Sequence, residues 1–274
     1  MTIKRFLILL TITFGVFCAS TFAQTAAKFE SYKAGENLEY EAKFSKIIKG
    51  ISVAELNFNV AQAADSQDFL ITSEAKSKGT LAKLINFKFN LNITSTVDER
   101  NFAVKRTVKR DEQGNRLRES EALFDYAEKK VIFIETDPND AMRSPRRIAS
   151  PITADTQDII TAIYTLRRLP LAAGKTYELR VSDSGLVYKI PVRVTARELQ
   201  KSILGKVWCF RVEPELFGAN RMIDQKGSMI LWITDDLRRL PVRSQVNTDL
   251  GRFEVKLKRI NEPLGERSTD SAKK

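Results

Sequence analysis

Two aspartates and two arginines stand together near the end of the chain, in the segment Asp235-Asp236-Leu237-Arg238-Arg239. Paired carboxylates can act as a general acid and base, and paired guanidinium groups can clamp an anion. The segment separates two apolar runs, however, and turns between strands favour Asp because its side chain bonds to nearby backbone. We therefore interpret Asp235, Asp236, Arg238 and Arg239 as structural turn residues whose charges pair with each other.

Histidine does not occur in the chain. Its absence excludes Ser-His-Asp and Cys-His catalysis, as well as zinc, copper or iron sites that use imidazole. The sequence also lacks the Asp-rich loop of an EF-hand calcium site. Cys209 lies between Trp208 and Phe210, and strand alternation predicts that it points to the opposite face. We expect a structural thiol, no catalytic residue, no metal and no cofactor, and hence no enzyme.

The first 23 residues have the pattern of a secretory signal peptide. Two basic residues precede an apolar segment at residues 6–17, which is shorter than a membrane-spanning helix. Thr21 and Ala23 then offer the small side chains of a cleavage site. We predict a signal peptide at residues 1–23 that is cleaved before Gln24, and therefore an exported protein in the periplasm or associated with the envelope.

Cys18 raises the alternative of a lipid anchor. A lipoprotein signal has a small residue just before the modified cysteine, and Phe17 occupies that position, so export without lipidation is favoured. Without Lys4 and Arg5, the chain from Gln24 onward carries 43 basic and 34 acidic residues, for a net charge of +9. It keeps one cysteine, which excludes an intramolecular disulfide.

Apolar and polar residues alternate with a period of two along most of the chain. Phe253, Val255 and Leu257, for example, are separated by charged residues, so one face of the strand is predicted to be buried and the other to be exposed to solvent. About a dozen such runs are separated by Gly- or Asp-containing turns. The runs lie at residues 38–44, 53–60, 69–71, 87–94, 102–108, 117–124, 131–134, 177–181, 190–194, 208–212, 229–234, 240–247 and 252–258.

Residues 155–168 are predicted to form the main helix, because apolar residues recur there with the helical period. Asp155 or Thr156 can cap its start, and Pro170 ends it. Residues 138–151 contain three prolines and little periodicity, which predicts a loop.

We predict a mainly β fold: a single large curled antiparallel sheet or half-open β-barrel, with one main α-helix across the concave face or at one end. The β-rich domain covers residues 35–260, between a polar leader at 24–34 and a disordered polar tail at 261–274. Two sub-sheets that meet near residues 138–155 are the alternative. An outer-membrane barrel would also alternate, but the charged tail, the short strands and the lack of aromatic belts favour a soluble protein.

Aromatic residues recur on the predicted apolar faces. A curled sheet of this many strands encloses more volume than one helix fills, which favours an apolar cavity for a ligand. We expect Tyr40, Phe58, Phe89, Trp232 and Phe253 to line this cavity. A close-packed core made from the same residues is the alternative.

Basic residues cluster at 105–110, 116–118 and 143–147. Such clusters in a cytoplasmic protein would indicate nucleic acid. Behind an export signal, the available anions are phospholipid headgroups, lipopolysaccharide or acidic polymers, so we expect no nucleic acid and consider an anionic membrane surface as a partner. A solvated basic face without a dedicated partner is the other interpretation.

Three segments resemble an exported bacterial family, the domain-of-unknown-function family numbered 3108. They are A-G-E-N-L-E-Y at 34–40, D-I-I-T-A-I-Y-T-L-R-R-L-P-L-A-A-G at 158–174, and the most specific one, W-I-T-D-D-L-R-R-L-P-V, at 232–242. The resemblance implies no established activity, so it supplies no catalytic residue. At the level of fold, the pattern is similar to the half-barrels of periplasmic lipoprotein carriers, which hold acyl chains in an apolar concavity.

The sequence thus favours a non-enzymatic protein of the cell envelope that binds an apolar or amphipathic molecule in the concavity of its sheet. A structural or assembly factor that binds another envelope protein, through a sheet edge or a basic face, is the alternative function.

Overall fold

The computed structural model describes residues 31–46, 50–78 and 88–261. The predicted signal peptide, most of the polar leader and nearly all of the polar tail lie outside these residues. Among the described residues, no helical segment has both the length and the apolarity needed to cross a bilayer.

Fifteen strands form one sheet within the described chain. All neighbours pair antiparallel except β9 and β10, which are parallel. The sheet confirms the predicted curled sheet with one helix, and the two halves of the chain form one sheet rather than two. The strands are β1 Asn37–Ser45, β2 Ile51–Gln62, β3 Phe69–Ser77, β4 Phe89–Val97, β5 Val104–Gln113, β6 Arg116–Asp125, β7 Lys130–Thr136, β8 Arg146–Pro151, β9 Thr156–Asp158, β10 Thr176–Asp183, β11 Leu186–Ser202, β12 Gly205–Pro214, β13 Gly227–Thr234, β14 Pro241–Thr248 and β15 Gly251–Asn261.

The first and last strands join the two halves of the sheet. Across the sheet, the order runs from β8 down to β1, then from β15 down to β9. Tyr40 of β1 lies opposite Leu56 of β2 on one side and Leu257 of β15 on the other. Residues that face each other across a ladder share a face of the sheet, so these three side chains belong to one continuous apolar surface.

The predicted main helix is present as helix α1, Ile159–Arg168, and it begins later in the chain than residue 155, where the sequence predicted its start. Asp158 caps it by accepting hydrogen bonds from the backbone N–H groups of Ile160 (2.9 Å) and Thr161 (2.8 Å). The prediction that Asp155 or Thr156 caps the helix is wrong. Thr156–Asp158 are extended as β9 and pair with β10, so buried ladder bonds hold them outside the helix.

The predicted loop at residues 138–151 is wrong in its second half, because Arg146–Pro151 form β8 on β7. This strand lies at one edge of the sheet. Edge strands tolerate proline and carry charged residues that discourage further pairing. Arg146, Arg147 and Pro151 therefore obscure the apolar alternation by which an inner strand is recognised.

Helix α1 lies on the concave face of the sheet. Ala162 and Leu166 pack with buried residues of β10–β13, whereas Ile160 and Tyr164 pack with buried residues of β2–β4. These strands belong to opposite halves of the sheet, so one helix can contact both because the sheet curls around it.

The curl brings one edge of the sheet against the turn between β10 and β11. Ser150 of β8 donates a hydrogen bond through its hydroxyl to the backbone oxygen of Gly185 (2.6 Å). Gly185 has a φ of +84°, and a Cβ there would lie 2.8 Å from the Cβ atoms of Ile148 and Phe133. The sheet therefore meets itself at this corner by close packing rather than by a continuous ladder of backbone bonds.

Candidate functional site

A pocket of about 210 Å³ lies between helix α1 and five adjacent strands, β13, β14, β15, β1 and β2. Many of its side chains are half-buried, so the pocket communicates with solvent. The lining residues are mostly apolar: Leu38, Tyr40, Leu56, Phe58, Ile163, Tyr164, Arg167, Met229, Leu231, Pro241, Arg243, Ser244, Val246 and Val255.

Alternation along each strand sends most of the lining side chains from the strands to the concave face. Leu231, Ser244 and Val255 form one row across β13, β14 and β15. The helix supplies the opposite wall through Ile163 and Arg167, which stand four residues apart and therefore on one helix face. The pocket is thus the part of the concavity that the short helix leaves unfilled.

A buried ion pair anchors the helix side of the pocket. The side chains of Arg167 and Glu36 are 1% and 4% exposed, and the guanidinium meets the carboxylate through two bonds of 2.6 and 2.7 Å. Burial lowers the pKa of Arg167, but the hydrogen bond and charge of Glu36 outweigh burial and raise it above its ordinary value. Arg167 therefore stays protonated.

Arg167 also connects two distant backbone segments. Its Nη2 atom donates to the backbone oxygen of Ser31 and to that of Arg238, at 3.2 Å. The guanidinium lies over the rings of Tyr32 and Tyr164. One side chain thus joins the segment before β1, the helix and the turn before β14.

Tyr164 is a buried residue of the pocket wall. Its hydroxyl is buried and has no hydrogen-bond partner within the described chain, and the same holds for Nε of Arg167. Burial raises the pKa of Tyr164, so the hydroxyl stays neutral and can donate a proton in a hydrogen bond. Buried donors in native proteins normally have partners, so this hydroxyl is an exception to the usual pattern.

Arg243 of β14 also borders the pocket, but its guanidinium lies on the face of the sheet that carries Trp232. Its guanidinium pairs with Glu254 at 2.6 Å, contacts Gln200 at 3.2 Å and lies 4.5 Å from the centre of the Trp232 ring. Both lining arginines are therefore paired with a carboxylate. The pocket suits an uncharged group better than an anion.

The structure brings two of the five expected ligand residues into this pocket. Tyr40 and Phe58 line it, with their ring centres 5.6 Å apart in an edge-to-face contact. Phe253 stands on the same face but packs against Phe44, at 4.9 Å between ring centres, and does not line the pocket. Phe89, at the start of β4, is half-buried and does not line it either.

Trp232 lies on the other face of the sheet. Leu231 faces the pocket, and Trp232 therefore points away, where its indole N–H donates to Glu198. Residues 229–234 are apolar or small without alternation, and such a run does not reveal which residues face which side. Three wall residues, Ile163, Tyr164 and Arg167, were not predicted from the sequence, although the apolar stripe of the helix was a usable signal for the first two.

The aspartates of the 235–239 turn bind their own neighbourhood. Asp236 accepts hydrogen bonds from the hydroxyl of Thr234 (2.7 Å) and from the backbone N–H groups of Arg238 and Arg239, both at 3.1 Å. Asp235 accepts from Arg197 at 2.5 Å and from Arg239 at 3.2 Å. These contacts agree with turn formation, and the backbone needs them because Arg239 has a φ of +48°.

Replacement of Asp236 by Ala is expected to lower the free energy of unfolding by about 0.5–2 kcal/mol at neutral pH, through loss of these local bonds. Burial raises the pKa of Asp236, but the bonds from Thr234 and Arg238 outweigh it and hold the pKa below its ordinary value. A carboxyl with a lowered folded pKa stabilises above its unfolded pKa, and this stabilisation disappears as pH falls through the folded pKa. Urea denaturation should therefore show the full difference in unfolding free energy between the parent protein and Asp236→Ala above about pH 5, and a smaller difference in stronger acid.

The matched control is Asp224→Ala, at an exposed aspartate outside the turn, which should change stability little at any pH. A penalty for Asp236→Ala that stays constant into acid would contradict the assignment.

The basic clusters are largely neutralised by acidic partners. Strands β5 and β6 and the loop after β7 place carboxylates within ion-pair distance of most arginines in these clusters. The pairs are Arg106–Glu121, Arg110–Glu112, Arg110–Glu119, Arg116–Asp111, Arg118–Asp137 and Arg143–Asp137. This side of the sheet is therefore a mixed lattice of charges rather than a uniformly positive surface.

Cys209 is fully buried, and burial raises the pKa of its thiol to about 12. It therefore stays protonated at neutral pH, when only a thiolate would be nucleophilic. Within the described ranges, no group of three or more Cys, Asp and Glu residues is placed to hold a metal ion.

Comparisons with known proteins agree with this description. The profile of the family "Protein of unknown function (DUF3108)" matches residues 39–258, as the three sequence segments predicted. No curated protein matches the chain.

Among solved structures, a β-barrel-like DUF1849 protein from Brucella abortus superposes with a TM-score of 0.58 at 10% identity, over 84% of this chain and 98% of that one. At this identity, the likeness concerns the fold alone. A DUF1089-family protein from Pseudomonas aeruginosa gives a TM-score of 0.38 at 13% identity, over 73% and 92% of the two chains. A Bacteroides fragilis protein proposed to be exported, with a YmcC-like fold, gives 0.35 at 12% identity, over 84% and 97%. Scores this low carry no argument.

Proposed function

Since this chain belongs to the DUF3108 family of proteins of unknown function, we infer its role from its own geometry and propose that it binds an apolar or amphipathic molecule of the cell envelope. The site is the pocket between helix α1 and strands β13, β14, β15, β1 and β2. We propose a carrier or sensor rather than an enzyme, exported through the segment at residues 1–23.

The observation that carries the proposal is the volume and lining of the pocket. About 210 Å³ exceeds the roughly 150 Å³ of an engineered apolar cavity that takes up benzene. It lies below the roughly 300–1,000 Å³ of sites for drug-sized ligands. A short apolar group fits this space, such as one end of an acyl chain whose remainder lies outside the mouth.

The polar atoms of the wall narrow the ligand class. Arg167 is already paired with Glu36, and the guanidinium of Arg243 lies on the other face of the sheet, where it pairs with Glu254. Neither arginine therefore offers a net charge to an anionic headgroup in the pocket. The hydroxyl of Tyr164 has no partner among the described residues, but it is itself buried. An uncharged, mainly apolar group matches this wall better than the anionic head expected from the sequence.

The proposal is tested by filling the pocket. Val246 is a half-buried lining residue, and Val246→Trp should exclude part of the ligand without removing a core side chain. If the tryptophan excludes two methylene groups of the ligand, each of which contributes about 0.8 kcal/mol to the binding free energy, affinity falls about 15-fold. The uncharged apolar probe N-phenyl-1-naphthylamine is titrated by its own fluorescence into the chain that begins at Gln24.

The matched control is Val108→Trp, at an exposed valine of β5 that does not line the pocket, and it should bind the probe like the parent chain. Native mass spectrometry of the protein from an envelope extract should find a neutral acyl compound that Val246→Trp fails to retain. Equal probe affinity in the two variants, together with an empty protein in the extract, would refute the proposal.

The alternative of an assembly factor that pairs through a sheet edge has less support. The edge strands β8 and β9 have six and three residues, and β8 packs against the turn at Gly185. Short and covered edges are how sheets avoid pairing with other chains.

A further inference from the structure

The hairpin of β11 and β12 extends beyond the neighbouring strand. β11 is 17 residues long, and it pairs with β12 out to the turn at Ser202 and Gly205. β12 pairs with β13 only from Cys209 to Val212. The part of this hairpin at residues 197–208, here called the hairpin tip, therefore projects past the sheet.

The hairpin tip has two different faces. Leu204 and Val207 pack against the core cluster that contains Cys209 and Trp232. Leu199 and Trp208 lie opposite each other on the other face, and they are 47% and 49% exposed. Ile203, at the turn, is also 47% exposed. Three large apolar side chains within ten residues are thus left in solvent.

A fourth exposed apolar residue stands on the adjacent turn. The backbone N–H of Asp235 donates to the backbone oxygen of Trp208 at 2.8 Å, which holds the 235–239 turn beside the hairpin tip. Leu237 in this turn is 73% exposed. Four of the nine large apolar residues that are exposed among the described ones therefore gather at one corner, and such clustering marks an interaction surface.

Two lysines flank the exposed apolar pair on the side of the turn. Lys201 and Lys206 face each other there, whereas Arg197, 4.5 Å from the ring centre of Trp208, is paired with Asp235 at 2.5 Å. Like charges directly opposite on a sheet are destabilising. In the described portion of the chain, no ion pair offsets the charge of either lysine. The fold thus accepts a cost that a bound anionic surface would relieve.

We propose that the hairpin tip docks on an anionic lipid bilayer, with Trp208, Leu199 and Ile203 at the level of the headgroups and the two lysines against lipid phosphates. Amphipathic aromatic rings favour the membrane interface, and long cationic side chains reach from an apolar surface to the headgroups. Each lysine near an anionic bilayer strengthens binding. The charge pattern therefore favours a lipid surface over a protein surface that is poor in acidic residues.

The test is sedimentation of the chain from Gln24, which contains every described residue, with phosphatidylcholine vesicles that contain or lack phosphatidylglycerol. We expect partition to vesicles with phosphatidylglycerol, and weak partition without it. Lys201→Gln combined with Lys206→Gln should reduce the partition coefficient about 25-fold, roughly fivefold for each lysine. Trp208→Ser should reduce it on the order of tenfold, because half of a large aromatic surface is lost from the interface.

Matched controls lie on other surfaces. Leu250→Ser removes an exposed leucine of the β14–β15 turn, and Lys175→Gln with Lys226→Gln removes two exposed lysines elsewhere. The leucine control should bind vesicles like the parent. The lysine control should lose clearly less than the tip variant, although it has the same net charge. Removal of the facing lysines should leave the unfolding midpoint unchanged or raise it, so misfolding would not account for a loss.

Two results would overturn the proposal: partition that is absent from vesicles with phosphatidylglycerol, or partition that the tip and control variants weaken equally. The first result would leave the hairpin tip as a surface for a protein partner. The pocket variant Val246→Trp should keep full vesicle binding, so the two proposals can fail independently.

Discussion

Replacement of Glu36 by Gln is expected to lower the free energy of unfolding by about 3–5 kcal/mol, because it leaves the Arg167 guanidinium buried without its counter-charge. The two side chains are 1% and 4% exposed and share two short hydrogen bonds. A cationic group in such a place cannot recover its lost hydration. Urea denaturation at neutral pH measures the loss as a lower midpoint.

Two further variants separate the buried charge from the carboxylate itself. Glu39→Gln removes an exposed carboxylate that pairs with Arg259 at 3.2 Å, and it should cost less than about 1 kcal/mol. The double variant Glu36→Leu with Arg167→Leu removes both charges and should be more stable than Glu36→Gln alone. If Glu36→Gln costs no more than Glu39→Gln, the buried pair does not hold the segment before β1 against the helix.

The second large effect is expected at the corner where the sheet meets itself. Gly185→Val should cost about 2–5 kcal/mol, because a side chain at φ +84° is strained and its Cβ would lie 2.8 Å from Ile148 and Phe133. We expect the edge strand β8 to separate from the β10–β11 turn. Hydrogen exchange should then show loss of protection in β8 at a lower denaturant concentration than in the central strands.

Gly205 provides the matched control, since its φ is +85° but a Cβ there would meet nothing within 4 Å. Gly205→Val therefore carries the backbone strain without the collision, and it should cost about 1–3 kcal/mol. Equal penalties at the two glycines, with β8 protected in both, would mean that the corner contact contributes no stability.

Much of the architecture could be predicted because each inner strand repeats a local pattern. Phe253, Val255 and Leu257 alternate with charges, and they lie in β15 with the expected facing. The neighbours of a strand are not encoded in this pattern. The pairing of β1 with β15 joins residues more than 200 positions apart. The sequence favoured a single sheet over two sub-sheets because it has no clear linker. Local alternation, however, does not determine which strands become neighbours in that sheet.

The candidate site was predicted in part for the same reason. Tyr40 and Phe58 sit in clearly alternating runs, and they line the pocket. Trp232 sits in a continuous apolar run, in which no alternation of apolar and polar residues shows which side chains face the pocket. It lies on the opposite face of the sheet. Arg167 has the sequence position of a basic residue in the last helical turn, which is normally exposed. Its burial follows from a contact with Glu36, 131 positions earlier, which local patterns do not reveal.

The central position of the β1–β15 seam has a consequence for how the molecule is made. Asn37 and Asn261 lie opposite each other, so the domain starts and finishes at one place in the middle of its sheet. Strands β1 to β8 can pair as soon as they are available to fold, but the inner edge of β1 stays unpaired until the last strand arrives. For that interval, the half-made sheet exposes a long row of backbone donors and acceptors to any other chain. Slow closure by a contact of such sequence separation makes the unfinished protein, rather than the finished one, the species that needs protection from aggregation.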